Sequence, residues 1–135
     1  RPSTPTAAGP EAMEEFVTAL NRHRAQRGCP ALAWHEGAAR VARAHSEDMQ
    51  RRRYFSHTSP EGRTLRDRLE AAGIRPRGAA GENIADTWQQ GRELLRFWLE
   101  SPGHRQNIES CEYTHHGLGQ AGRMWTHVFL QSPAP

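Results

Sequence analysis

Ala79-Ala80-Gly81-Glu82-Asn83-Ile84-Ala85 sets one acidic residue among small and apolar neighbours. A solvated surface loop has no need of that pattern. Gly81 lets the backbone come close to another element, and Asn83 brings an amide that can fix nearby polar groups. Asp86 and Thr87 follow, and threonine is a good helix start. The reading therefore places Glu82 at a junction between a loop and a helix, partly buried. A buried carboxylate needs a partner, and the flanking sequence has to supply both that partner and the fold.

Upstream, the apolar spacing is helical. Met13, Phe16, Val17 and Leu20 define a first helix over 11–26, ended by Gly28 and Pro30. Leu32 and Trp34 fall in a short connection. Ala38, Val41, Ala42, His45 and Met49 share a face of a second helix over 36–53, on which His45 reads as a hydrogen-bonded core residue, with a ligand role as the alternative. After it comes Tyr54-Phe55-Ser56-His57-Thr58-Ser59-Pro60-Glu61-Gly62, two aromatics leading into a polar turn that holds His57 between hydroxyls. A third helix starts at Arg63 or Thr64, carries Leu65 and Leu69, and stops at Gly73.

Downstream, Leu94, Leu95 and Trp98 mark a fourth helix over 87–101, broken by Pro102-Gly103, with one more turn at 104–108. Residues 113–120 and 124–130 read as two strands joined at Ala121-Gly122, a hairpin. His115 and His116 must then point to opposite faces. Helices first and strands last, with no βαβ alternation, favour an α+β fold. The tryptophans at 34, 88, 98 and 125 read as mainly core, with Trp88 available to rim a cleft. Residues 1–10, rich in Pro, Thr and Ala, read as a linker to something upstream; 11–131 form one domain and 132–135 a tail.

Composition narrows the function. The chain has 135 residues, 36% of them hydrophobic, and no run long enough for a membrane helix. Net charge is +3 and every basic residue is arginine. The arginines occur throughout the chain without an accompanying nucleic-acid motif, so nucleic acid is not an expected partner. Cys29 and Cys111 have no metal-ligand spacing, which leaves free thiols and one long-range disulfide both open. There is no HExxH, GxSxG, P-loop or dinucleotide fingerprint. What remains is His57, Glu82 and His104, each at the edge of an element: two imidazoles and a carboxylate, a set that suits a divalent metal or acid–base chemistry.

The ordered set FSHTSPEG (55–62), AGENIA (80–85), WLESPGHRQNI (98–108), GLG (117–119) and WTHVF (125–129) resembles the CAP superfamily, the cysteine-rich secretory, allergen and pathogenesis-related proteins with an SCP domain, in its bacterial secreted branch. The resemblance extends from Leu20-Asn21-Arg22-His23-Arg24 through Phe129. It implies a three-layer α-β-α sandwich with a cleft of two histidines and two acids. Position by position, the cleft histidines fall on His57 and His104 and one acid on Glu82. The second acid falls on Ser101, a departure; Glu100 is adjacent but turned by about 100° on a helix, so it is a poor substitute. The family's glutamine in the last strand is His127 here. The resemblance also pairs Cys29 with Cys111 and so implies export.

Two functions follow as expectations. One is a secreted, monomeric binding module, attached at the cell surface through an upstream segment or free, whose cleft holds Zn²⁺ or another divalent metal on His57 and His104 and whose surface takes a lipid, glycan or protein. The other is a hydrolase, a peptidase or cell-wall enzyme, with Glu82 as general base and His57 or His104 as acid. In the second, Ser59 and Ser101 are candidate nucleophiles, although capping or turn bonding suits both better. A purely structural Glu82, pairing with a histidine to tie sheet to helices, is compatible with the first.

Overall fold

The structure, a computed structural model, describes residues 9–134. Residues 1–8 of the linker expected at 1–10 lie outside them, as does Pro135; its last two residues belong to the domain, Gly9 at the N-cap of the first helix and Pro10 as its first residue. Five helices, α1 (Pro10–Gln26), α2 (Glu36–Arg52), α3 (Leu65–Ala71), α4 (Arg92–Leu99) and α5 (Pro102–Glu109), surround four strands, β1 (Ala33–Trp34), β2 (Ala80–Asp86), β3 (His115–Ala121) and β4 (Met124–Leu130). The sheet order is β1-β3-β4-β2; β1 runs parallel to β3 and the other pairs are antiparallel. Helices cover both faces, so the fold is α+β with three layers.

The alternation along each strand sorts the core into two halves. On one face Val128 and Leu130 pack with Ala38, Val41 and Ala42 of α2 and Leu69 of α3. On the other, Trp125 and Phe129 pack with Phe16 and Leu20 of α1, Leu94 and Trp98 of α4 and Ile108 of α5. Helix α2 lies very close to β3, and Gly117 and Gly119 are the reason it can: a Cβ at either would run into the backbone of Ala38–Ala39 or Ala42–Arg43. On the opposite face the Arg24 guanidinium, fully buried, donates to the carbonyls of Pro30, Ile108, Ser110 and Tyr113. The Cys29–Cys111 disulfide joins the same two segments.

The structure corrects four expectations. The Glu82 stretch is not a loop–helix junction but the strand β2, paired along its length with β4, Glu82 opposite Val128. Residues 82–85 are all buried, because the strand is covered on both faces. A strand of that kind loses the polar-out alternation by which strands are recognised. The fourth helix starts at Arg92 rather than at Thr87, after a turn that puts Gly91 at φ +60°. The single turn expected at 104–108 is a full eight-residue helix, α5. Trp34, expected in the core, is 41% exposed on the short edge strand β1.

Candidate functional site

Strand β2 is an edge of the sheet, and the two layers of helices meet across it. Its alternation sends Glu82 toward α3 and Asn83 toward α5. Helix α3 begins with a reciprocal cap: the Thr64 hydroxyl accepts from Asp67 N–H and the Asp67 carboxylate accepts from Thr64 N–H. One turn in, Arg68 donates from Nη1 to Glu82 Oε2 at 2.9 Å and from Nη2 to Oε1 at 3.2 Å. Its Nη2 also donates to the His57 carbonyl at 2.8 Å. His57 Nδ1 lies 2.9 Å from Glu82 Oε1.

Three hydrogen bonds thus converge on one carboxylate whose side chain is 3% exposed. Burial pushes the Glu82 pKa up, but the bonds from His57 and Arg68 and the Arg68 charge outweigh it, and the net value lies below the ordinary glutamate range. An ionised carboxylate only accepts, so the bonded His57 nitrogen must carry the proton. Neutral His57 then has its lone pair on Nε2. The ring is 55% exposed. The loop bearing it is held from below: His45, 2% exposed, donates from Nε2 to the Ser56 carbonyl, and Ser59 Oγ accepts from Arg63 N–H.

His104 comes from the other layer. Asn107 Nδ2 donates to the Glu82 carbonyl at 3.2 Å and to Asn83 Oδ1 at 2.8 Å, while Asn83 Nδ2 donates to the His104 carbonyl at 3.1 Å. These three bonds fasten α5 to the edge of β2. Burial and then the charge of nearby His57 lower the His104 pKa, which favours the neutral ring at neutral pH. His57 is therefore bonded to Glu82 at this edge of the sheet, and α5 brings His104 to the same edge through its carbonyl bond to Asn83.

The remaining candidates separate. Ser101 occupies the N-cap position of α5 without a side-chain capping bond, half-buried, and Glu100 is exposed at the end of α4. Ser59 is used in its turn. His127 faces His116 in the core, Nδ1 of His116 to Nε2 of His127 at 2.9 Å, far from solvent. Trp88 is 39% exposed just beyond β2, and Phe55 is 51% exposed two residues before His57. The residue that sequence reasoning missed is Arg68. The signal was present, since a buried carboxylate needs a cation, but one arginine among 18 carries no mark of its own.

Among the described residues no group of three or more His, Cys, Asp or Glu side chains is arranged to hold a metal ion. Glu82 is committed to Arg68 and His57. A metal would have the two imidazoles and solvent as ligands, an open and weak set compared with a closed structural site. No helix among the described residues is long and apolar enough to cross a membrane.

The sequence profile of the Cysteine-rich secretory protein family, CAP, matches residues 17–122. The chain is 36% identical over 118 residues to the uncharacterized membrane protein YlbC of Bacillus subtilis (strain 168), covering 87% of this chain and 34% of YlbC. It superposes with TM-score 0.80 and 34% identity on an extracellular protein containing an SCP domain from Bacillus anthracis str. Ames, over 93% of this chain and 45% of that one. An outer surface protein of Borrelia burgdorferi shares the fold, with TM-score 0.77 at 15% identity over 91% of this chain and 94% of its own. The chain thus spans less than half of the first two.

Proposed function

This chain belongs to the cysteine-rich secretory protein (CAP) family, and from that premise we propose that it is an exported binding module whose working groups are the exposed Nε2 of His57 and the neighbouring imidazole of His104. The observation that carries this reading is the Glu82–His57 bond, which fixes the ring and its tautomer and leaves Nε2 as a free lone pair. Arg68 makes Glu82 a positioning group: its charge keeps the carboxylate ionised and both oxygens occupied. A general base needs an accessible lone pair and a pKa near the working pH. The lowered pKa of Glu82 argues against that role and so favours binding over hydrolysis.

The cleft takes a divalent cation weakly on His57 and His104, with solvent completing the shell. When bound, such an ion offers a Lewis-acidic point to which a ligand oxygen can attach. The disulfide and the extracellular SCP-domain relative support export. Calorimetry with Zn²⁺ tests the site. One ion per chain is expected, with uptake lost in His57→Ala and in His104→Ala and weakened in Glu82→Gln. No uptake, or uptake indifferent to His57→Ala, overturns the metal reading.

A further inference from the structure

A concavity lies on the outer side of the α2 layer. It is a groove of ≈ 900 Å³ running beside α2 from Gly37 to Arg52, walled opposite by α3, the turn to Ile74 and the loop residues Ser59, Glu61 and Arg63. Fifteen helical steps at about 1.5 Å each make it roughly 22 Å long, the shape of a trough for an extended chain rather than a pit for an ion. Its floor includes Val41, Ala44, Ala71 and Ile74.

Its charge is unevenly distributed. Residues 40–77 hold ten arginines against five acids, an excess of five positive charges, whereas the whole chain has an excess of three. The rest of the molecule is therefore net negative, and five of these ten arginines line the groove, against three acids. Inside it Asp48 and Glu61 are already taken by Arg51 and Arg52, while Glu47 lines it without an ion pair to any described residue. Arg40 and Arg63 make no ion pair with any described residue, and both line the groove. Arg68 lines it as well, and its Nε is buried without a hydrogen-bond partner.

We propose that this groove binds an acidic polysaccharide, a sugar chain carrying repeated carboxylates, with Arg40 and Arg63 as the principal contacts. Guanidinium forks match carboxylates in pairs. Hydroxyl-rich sugar rings suit a floor that mixes aliphatic carbons with polar rims. Single-stranded nucleic acid, the other extended polyanion, is bound on aromatic platforms; no Phe, Tyr or Trp is among the residues lining this groove, and its one ring, His45, is 2% exposed and bonded to the Ser56 carbonyl. The site does not use the imidazoles of the cleft, although Arg68 and the loop at 57–63 border both.

The test is titration of the intact chain with polygalacturonate at low salt, with dextran and a single-stranded oligonucleotide as comparisons. Binding of polygalacturonate but not dextran is expected, and Arg40→Glu/Arg63→Glu should weaken it by about tenfold or more, since reversing two contacts removes their counterion release and adds repulsion. That variant should keep the wild-type melting temperature and the same Zn²⁺ titration, which separates this site from the cleft; if it does not fold, Arg40→Gln/Arg63→Gln replaces it. Arg22→Glu/Arg96→Glu, on the α1–α4 side, carries the same charge change. Equal weakening by that control, tighter binding of the oligonucleotide, or no binding of polygalacturonate overturns the proposal.

Discussion

Arg68 and Glu82 meet through two parallel hydrogen bonds, and both side chains are largely withdrawn from water, 11% and 3% exposed. Removing the cation alone strands a buried carboxylate, which costs about 3–5 kcal/mol when a buried pair is broken from one side. Arg68→Met should therefore destabilise by about 3 kcal/mol at neutral pH. Arg68→Met/Glu82→Leu should recover most of that loss, because the charge is no longer there to desolvate. The sign with pH follows from the lowered Glu82 pKa. In the wild type the pair stabilises above the unfolded value and this is lost as pH falls through the folded one. In Arg68→Met the folded pKa rises and the variant should gain relative stability in acid. Urea unfolding across pH measures both; a single-mutant cost under about 1 kcal/mol would make the pair incidental.

His116 and His127 form a second buried relationship with its own pH signature. Their rings are joined at 2.9 Å, and the outer nitrogens, His116 Nε2 and His127 Nδ1, have no partner. Burial lowers both pKa values, His116 to about 4, with the Arg24 charge adding to the effect on each. An unfolded histidine takes up its proton near pH 6.5, so the unfolded state binds more protons than the native one as pH drops. Stability should fall between about pH 6.5 and pH 4, His116 alone accounting for up to about 3 kcal/mol. His127→Gln removes one titrating ring and should flatten that slope. An unchanged slope would place the acid sensitivity elsewhere.

How much of this was legible in advance depended on where each signal was local. The α1 and α2 stripes and the β3–β4 hairpin carry their period in a single window, and the resemblance carried the layer order. Strand β2 was misread because all of 82–85 is buried and its hydrogen bonds go to residues some forty positions later. His57 and His104 stood out by their odd settings. Arg68 did not, because what distinguishes it is the register of a short capped helix over the sheet edge, which no window of sequence contains.

Gly117 offers a steric prediction. A Cβ there would collide with backbone atoms of Ala38 and Ala39, which have no rotamer by which to yield. Helix α2 would have to lift from β3 and open the cluster of Ala38, Val41 and Val128. Gly117→Ala should cost about 3 kcal/mol. Gly103→Ala is the control: its added methyl meets nothing within 4 Å, and the position is helical. That change should be neutral or stabilising by about 0.5 kcal/mol. Equal effects at the two positions would mean that glycine flexibility, not helix–strand contact, sets the cost.

The Cys29–Cys111 bridge closes a sequence separation of 82 residues, and the Arg24 guanidinium bonds the carbonyls of Pro30, Ile108 and Ser110 beside it. The two devices act on different states. The bridge lowers the entropy of the unfolded chain, by about 4.5 kcal/mol at this loop length in the chain-entropy model. Arg24 acts only when folded, by satisfying buried carbonyls that would otherwise lack donors. Cys29→Ser/Cys111→Ser should therefore unfold at lower urea, by about 4 kcal/mol, yet keep native near-ultraviolet dichroism and the His57 tautomer, because Arg24 still holds the segments together. Arg24→Met with the bridge intact should do the reverse: the carbonyls at 108–113 lose their donors, native packing around α5 loosens, and His104 shifts from its place across β2. A double-serine variant that lost the tautomer along with its stability would show that the bridge, rather than Arg24, sets the native geometry.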